Sequence, residues 1–194
     1  MDRTARRSLT HHRRLGLLLV LLAAATVGAA SFSLAIFTST AAVGANAFTS
    51  GTIVLGTNPA TALLTTGAMM PGDTVSGSLV VSNTGTGQLR YAMTSSSTNT
   101  DTKGLMNQIT LTVKTLGTSC AAFDGTTIYS GTLASAAFGN PAQGAQAGDR
   151  TVNAASSETL CFAANLPLAT GNAFQGATTT ATFTFNAEQT ANNP

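Results

Sequence analysis

Charge is scarce in this chain. Only 8% of its 194 residues are Asp, Glu, Lys or Arg, against about 25% in ordinary soluble domains. With 43% hydrophobic residues, that balance excludes a disordered charged tail, which is poor in apolar side chains. It also excludes a basic nucleic-acid binder, whose footprint is Lys and Arg clustered over one folded face. Histidine is equally scarce, being confined to His11 and His12 in a basic N-terminal segment. Beyond it the usual general base is missing, as is the usual zinc ligand, so a His-Glu-x-x-His metalloprotease site is excluded. There is no Gly-x-Ser-x-Gly elbow or Ser-His-Asp set and no phosphate-binding Gly-x-x-x-x-Gly-Lys loop. Gly85-Thr86-Gly87 lacks the third glycine of a dinucleotide fingerprint and reads as a turn. No catalytic residue, cofactor-binding residue or metal ligand is expected, and no cofactor.

The formal charge of +2 conceals an asymmetry. Arg3, Arg6, Arg7, Arg13 and Arg14 precede the first apolar run, opposed only by Asp2. The rest of the chain carries four basic residues (Arg90, Lys103, Lys114, Arg150) against six acidic ones (Asp73, Asp101, Asp124, Asp149, Glu158, Glu188), a net of −2. A surface so weakly charged steers neither phosphate nor anionic lipid.

The N-terminus has a basic segment, an apolar core from Leu15 to Ala25 and then small residues, the three-part order of a secretory signal peptide. Ser33 and Ala35 allow cleavage after Ala35, and Gly28 and Ala30 an earlier cut. Residues 1–36 are therefore expected to be a signal peptide. A retained anchor is the competing reading, because about 20 apolar residues span a bilayer. The expected location is secreted, at the cell surface or in an extracellular matrix, with membrane contact only through this segment.

Residues 37–194 read as one all-β domain. Val75, Gly77, Leu79 and Val81 alternate with Thr74, Ser76, Ser78 and Val80; Leu89, Tyr91 and Met93 alternate likewise. Ile109, Leu111 and Val113 oppose Thr110, Thr112 and Lys114, and Ala181, Phe183 and Phe185 oppose Thr180, Thr182 and Thr184. Branched β-carbons suit a pleated strand. Pro71-Gly72-Asp73 opens a strand, Asn83-Thr84-Gly85-Thr86-Gly87 reads as a hairpin turn, and Phe123-Asp124-Gly125-Thr126 precedes a short Ile128-Tyr129 run. Residues 139–156 read as a long exposed insertion and 189–194 as a frayed tail. About eight short strands at this spacing predict an antiparallel sandwich, jelly-roll or Ig-like, preceded by the hydrophobic signal helix.

Cys120 and Cys161 are the only cysteines. In an exported chain they predict one disulfide; the alternative is two separate thiols, one in a strand and one in a loop. Asp73 and Asp124, beside glycines, are expected to bond turn backbone. Lys114 is expected in solvent on the polar face of its strand, and Tyr91 and Tyr129 half-buried in theirs.

Several segments together resemble the TasA/camelysin family of exported bacterial surface and biofilm-matrix proteins. Ala35-Ile36-Phe37-Thr38-Ser39 takes the place of that family's Ala-x-Phe-like cleavage region, and the stretch from Phe48 to Leu55 is similar to its first mature strand. Met70-Pro71-Gly72-Asp73-Thr74-Val75 and Val81-Ser82-Asn83-Thr84-Gly85 resemble its Pro-Gly-Asp turn and Asn-x-Gly hairpin. Leu166-Pro167, Phe174-Gln175-Gly176 and Phe183 to Gln189 resemble its closing strands. The resemblance implies a jelly-roll-like sandwich, export with a SipW-type signal peptidase as partner and Ala35, Ile36 and Phe37 at the cleavage region, and assembly into fibres or a surface layer. Camelysin-like members are also labelled metalloendopeptidases; without histidine after the leader, that activity is not carried over. The cysteines lie outside the matched motifs.

The expected function is thus a self-associating structural subunit, with the small, uncharged segment Phe37–Ala47 as a possible donor strand and no nucleic-acid partner. The alternatives are a monomeric adhesin binding its ligand through residues 139–156, or an enzyme using carboxylates.

Overall fold

A computed structural model describes residues 14–21, 39, 41–42 and 44–194. It divides into two units, Met1–Phe48 and Thr49–Pro194. In the first, residues 14–21 are helical and exposed. Among the described residues no helix is long and apolar enough to cross a membrane. The cleavage region at Ala35, Ile36 and Phe37 lies outside the described residues.

The second unit is mostly β and its ladders are antiparallel. Its strands are β1 (Leu55–Asn58), β2 (Thr74–Asn83), β3 (Leu89–Ser97), β4 (Thr110–Thr115), β5 (Thr127–Thr132), β6 (Ala137–Phe138), β7 (Arg150–Val152), β8 (Ser156–Asn165) and β9 (Ala181–Gln189). One sheet has the order β1-β2-β8-β4-β5. The other is built on β3: β9 pairs it from Leu89 to Ser97, while β6 and β7 share its opposite edge.

The period-two runs place their apolar members in one core. Leu79 and Val81 from β2, Leu111 and Val113 from β4, and Leu160, Phe162 and Ala164 from β8 pack with Leu89, Tyr91 and Met93 from β3. Phe162 on the first sheet meets Phe183 on the second, with ring centroids 5.5 Å apart. Tyr91 meets Phe138 edge-on at 5.9 Å, a favoured aromatic geometry.

Five expectations change. The segment 83–87 is not a hairpin turn, because β2 and β3 belong to different sheets. The cause is Asn83, a buried side chain that bonds along and across the corner. Its Oδ1 accepts the Gly85 N–H at 3.0 Å and the Val54 N–H at 3.4 Å, and its Nδ2 donates to Gly87 O at 2.8 Å and Val152 O at 3.2 Å. The corner also takes over residues 52–54. The N–H groups of Thr86 and Gly87 donate to Thr52 O and that of Thr84 to Val54 O, so regular pairing begins only at Leu55.

Residues 139–156 are not one exposed insertion, since β7 lies within them and Val152 is 3% exposed. The tail is tied down: Asn193 O accepts from the Arg90 guanidinium and Pro194 O from the Ala145 N–H. Tyr91 is fully buried, because the core closes over its ring. Lys114 is not simply solvated; its Nζ donates to Phe123 O at 2.8 Å and lies 4.8 Å from the centre of that ring. Tyr129 is half-buried as expected, its hydroxyl donating to Thr132 O at 2.7 Å.

Candidate functional site: a groove between two open strand edges

The two sheets do not close against each other along one side. On the flank of β2 opposite β8, β1 pairs only residues 80–83. Among the described residues, 74–79 therefore have no ladder partner on that flank. Strand β9 pairs β3 alone, leaving a nine-residue edge open among the described residues. Such an edge is a row of unpaired N–H and C=O groups ready to accept another strand.

Between these edges runs a groove of about 580 Å³, walled by Leu63, Leu64, Met69, Val75, Phe183 and Phe185 and rimmed by threonines, with no charged side chain in its lining. The inward residues of β9 feel the opening. Phe183 and Phe185 are only partly buried, whereas Leu89, Tyr91 and Met93 on the neighbouring β3 are closed off from solvent.

Gly77 shapes this groove. It shares the inward side of β2 with Val75 and Leu79. A Cβ there would stand 2.6 Å from the Leu63 carbonyl oxygen and 3.1–3.2 Å from the Leu63 and Leu64 methyls. Glycine in a strand interior often marks such a close backbone approach. In the alternation Gly77 takes an apolar position, and a glycine inside a strand pattern is the sequence signal that points to the site.

Elsewhere the ionisable groups act as internal ties. Glu158 on β8 reaches across to the second sheet, accepting the Tyr91 hydroxyl at 2.7 Å and the Arg150 Nε at 3.0 Å. Burial, then the hydrogen bond and charge of Glu158, push the Tyr91 hydroxyl pKa well above its ordinary value. Burial opposes the Arg150 charge, but the Glu158 hydrogen bonds and charge outweigh it, so the guanidinium holds its proton more tightly than usual. Arg90, 7% exposed, pairs with Glu188 at 2.6 Å. The Glu188 carboxyl is held below its usual range, first by the Asn193 side chain and also by Arg90.

The remaining carboxylates serve turns. Asp73 accepts the Met70 N–H and Asp124 the Thr118 N–H, as their glycine neighbours suggested. Asp101 accepts the Lys103 and Thr178 N–H groups, and Asp149 those of Asn140 and Gln146. Among the described residues no three His, Cys, Asp or Glu side chains gather as a metal site would require.

Cys120 and Cys161 are disulfide-bonded. Cys161 lies in central β8 and is 1% exposed, while Cys120 sits in the loop between β4 and β5. The bond, with Lys114 on Phe123, pins that loop over the first sheet.

Searches against protein-family models and curated proteins return no match to the chain. A functional reading rests on the groove, its two edges and the sequence.

Proposed function

We propose that this chain is an exported structural protein, a jelly-roll-like sandwich whose copies assemble into fibres or a surface layer by β-strand donation. The observation that carries the reading is the uncharged groove flanked by the open edges of β2 and β9. An edge that accepts a strand supplies main-chain hydrogen bonds, and pockets for alternate side chains supply selectivity.

The donor is the segment Phe37–Ala47. Its odd positions are Phe37, Ser39, Ala41, Val43, Ala45 and Ala47, and its even positions Thr38, Thr40, Ala42, Gly44 and Asn46. That is a period-two strand with one small, largely apolar side and one mostly polar side. At about 3.3 Å per residue it extends to roughly 36 Å, enough to run beside the roughly 30 Å of β9. It carries no charge that an uncharged groove would have to desolvate. Weak net charge also removes long-range repulsion between copies.

The test is deletion of Phe37–Ala47 from the secreted chain. The deletion variant should keep the wild-type circular-dichroism spectrum, remain monomeric on size-exclusion chromatography and form no fibres by electron microscopy. Fibres of wild-type appearance from that variant would refute donation by this segment. A wild-type protein that stays monomeric at every concentration would favour the adhesin reading.

A further inference from the structure

We infer that residues 59–66 are a built-in strap that narrows the acceptor groove of the unassembled subunit and must move aside before a strand from a second copy can enter. The inference rests on the strand-donation reading and adds its regulation.

Three observations place the strap. First, residues 59–66 wall the groove, and Leu63 and Leu64 sit against the inward side of β2 at Gly77. This is core space that an incoming strand's side chains would need. Second, the strap is held lightly. Among the described residues no hydrogen bond ties 59–66 to the rest of the chain, whereas the preceding β1 is laddered to β2. Third, of residues 59–66 only Pro59, next to β1, and Leu63 and Leu64 are partly buried, the others being exposed. Two leucines, half in solvent, are its anchor. Because apolar burial scales with the area covered, a donor strand that covers Phe183, Phe185 and Val75 and also completes a backbone ladder outcompetes it.

The strap answers a hazard of the fold. A protein with little net charge and an open nine-residue strand edge is prone to pair prematurely. Two leucines wedged at the mouth delay pairing without a covalent block.

Two variants test this by different routes. In Gly77→Ala the new Cβ collides with the Leu63 carbonyl, a backbone atom that moves only if the strap moves. In Leu63→Ser/Leu64→Ser the anchor is removed and the sheet untouched. In both full-length secreted variants, limited proteinase K digestion, which also accepts Ala60 and Ala62 as cleavage sites, should cut within 59–66 at least tenfold faster than in wild type. The lag before light-scattering growth should shorten at least fivefold, and a fluorescent peptide of residues 37–47 should bind at least fivefold tighter by anisotropy. Two outcomes overturn the strap. One is wild-type lag and peptide affinity in variants whose strap is cut faster. The other is an unchanged cutting rate in Gly77→Ala, which keeps both leucines. If wild type and variants alike neither bind the peptide nor assemble, while the variant straps are cut faster, strand donation itself fails and the strap has nothing to gate.

Discussion

Replacing Asn83 tests the corner that sends the chain from one sheet to the other. Asn83 is 1% exposed and uses both ends of its amide. The oxygen accepts the Gly85 N–H at 3.0 Å, and the nitrogen donates to Gly87 O at 2.8 Å and Val152 O at 3.2 Å; the 3.4 Å bond from Val54 N–H is too long to weigh much. Net values of about 0.5–1.5 kcal/mol per bond give a loss of roughly 2–4 kcal/mol for Asn83→Ala. Asn83→Asp is the sharper probe because it preserves shape. It keeps the two acceptor contacts, loses both donations, and sets a carboxylate oxygen against two carbonyls. An unpaired buried charge costs about 3–5 kcal/mol, so at pH 7 Asn83→Asp should be at least as unstable as Asn83→Ala. At pH 4 the protonated carboxyl can again donate to one carbonyl, and the gap between the variants should narrow. Urea unfolding followed by far-ultraviolet circular dichroism, at both pH values, measures this. An Asn83→Asp protein within about 1 kcal/mol of wild type at pH 7 would show that the amide does not hold the corner, since even one lost neutral bond is worth about that much.

Two further predictions concern the ties around the core. The Cys120–Cys161 bond closes a separation of 41 residues, so its loss in Cys120→Ser/Cys161→Ser should cost about 4 kcal/mol in the chain-entropy picture and lower the melting temperature by roughly 8–16 °C; calorimetry checks the shift, and intact-mass analysis of the wild type should show two hydrogens fewer than the thiol form. The Tyr91 hydroxyl pKa is raised by burial and by Glu158. Folding therefore favours its protonated form: the stabilisation is complete below the unfolded-state value of about 10 and is lost as pH rises above it. The urea midpoint should fall through that alkaline range in wild type and fall less steeply in Tyr91→Phe, and equal slopes would contradict the assignment.

The strands with solvent on one side were legible from their alternation. β2, β4 and β9 lie close to where their period-two runs placed them, because their outward Thr and Ser meet water and their inward residues meet the core. β8 is the instructive miss. It pairs β2 on one side and β4 on the other, yet Leu160, Cys161 and Phe162 are all buried in succession. The Cys120 loop covers its outer side at Cys161, erasing the alternation. β7, three residues long, is too short to show a period. Asn83 looks like part of a hairpin in sequence because its local signal, a bond to Gly85 N–H, is common to many turns. What makes it a corner is Val152 O, 69 residues away, a partner that no local pattern contains. The groove is invisible for the same reason, since its walls come from residues 57, 59–66, 69, 75, 79, 109, 133, 164, 179–183 and 185.

The scarcity of charge and the proposed assembly are linked through where the few charges go. All four basic residues beyond position 48 are engaged internally. Arg90 binds Glu188, Arg150 binds Glu158, and Lys103 and Lys114 donate to the Gln175 and Phe123 carbonyls. None lines the groove, although lysine at a strand edge is a common way to prevent pairing between molecules. The ties therefore strengthen each subunit while leaving the lining of the groove neutral, so a strand entering it meets hydroxyls, methyls and phenyl rings. A subunit that gives up that protection needs another device to stay unpaired until its partner arrives. On the reading proposed here that device is steric: two leucines resting against a glycine.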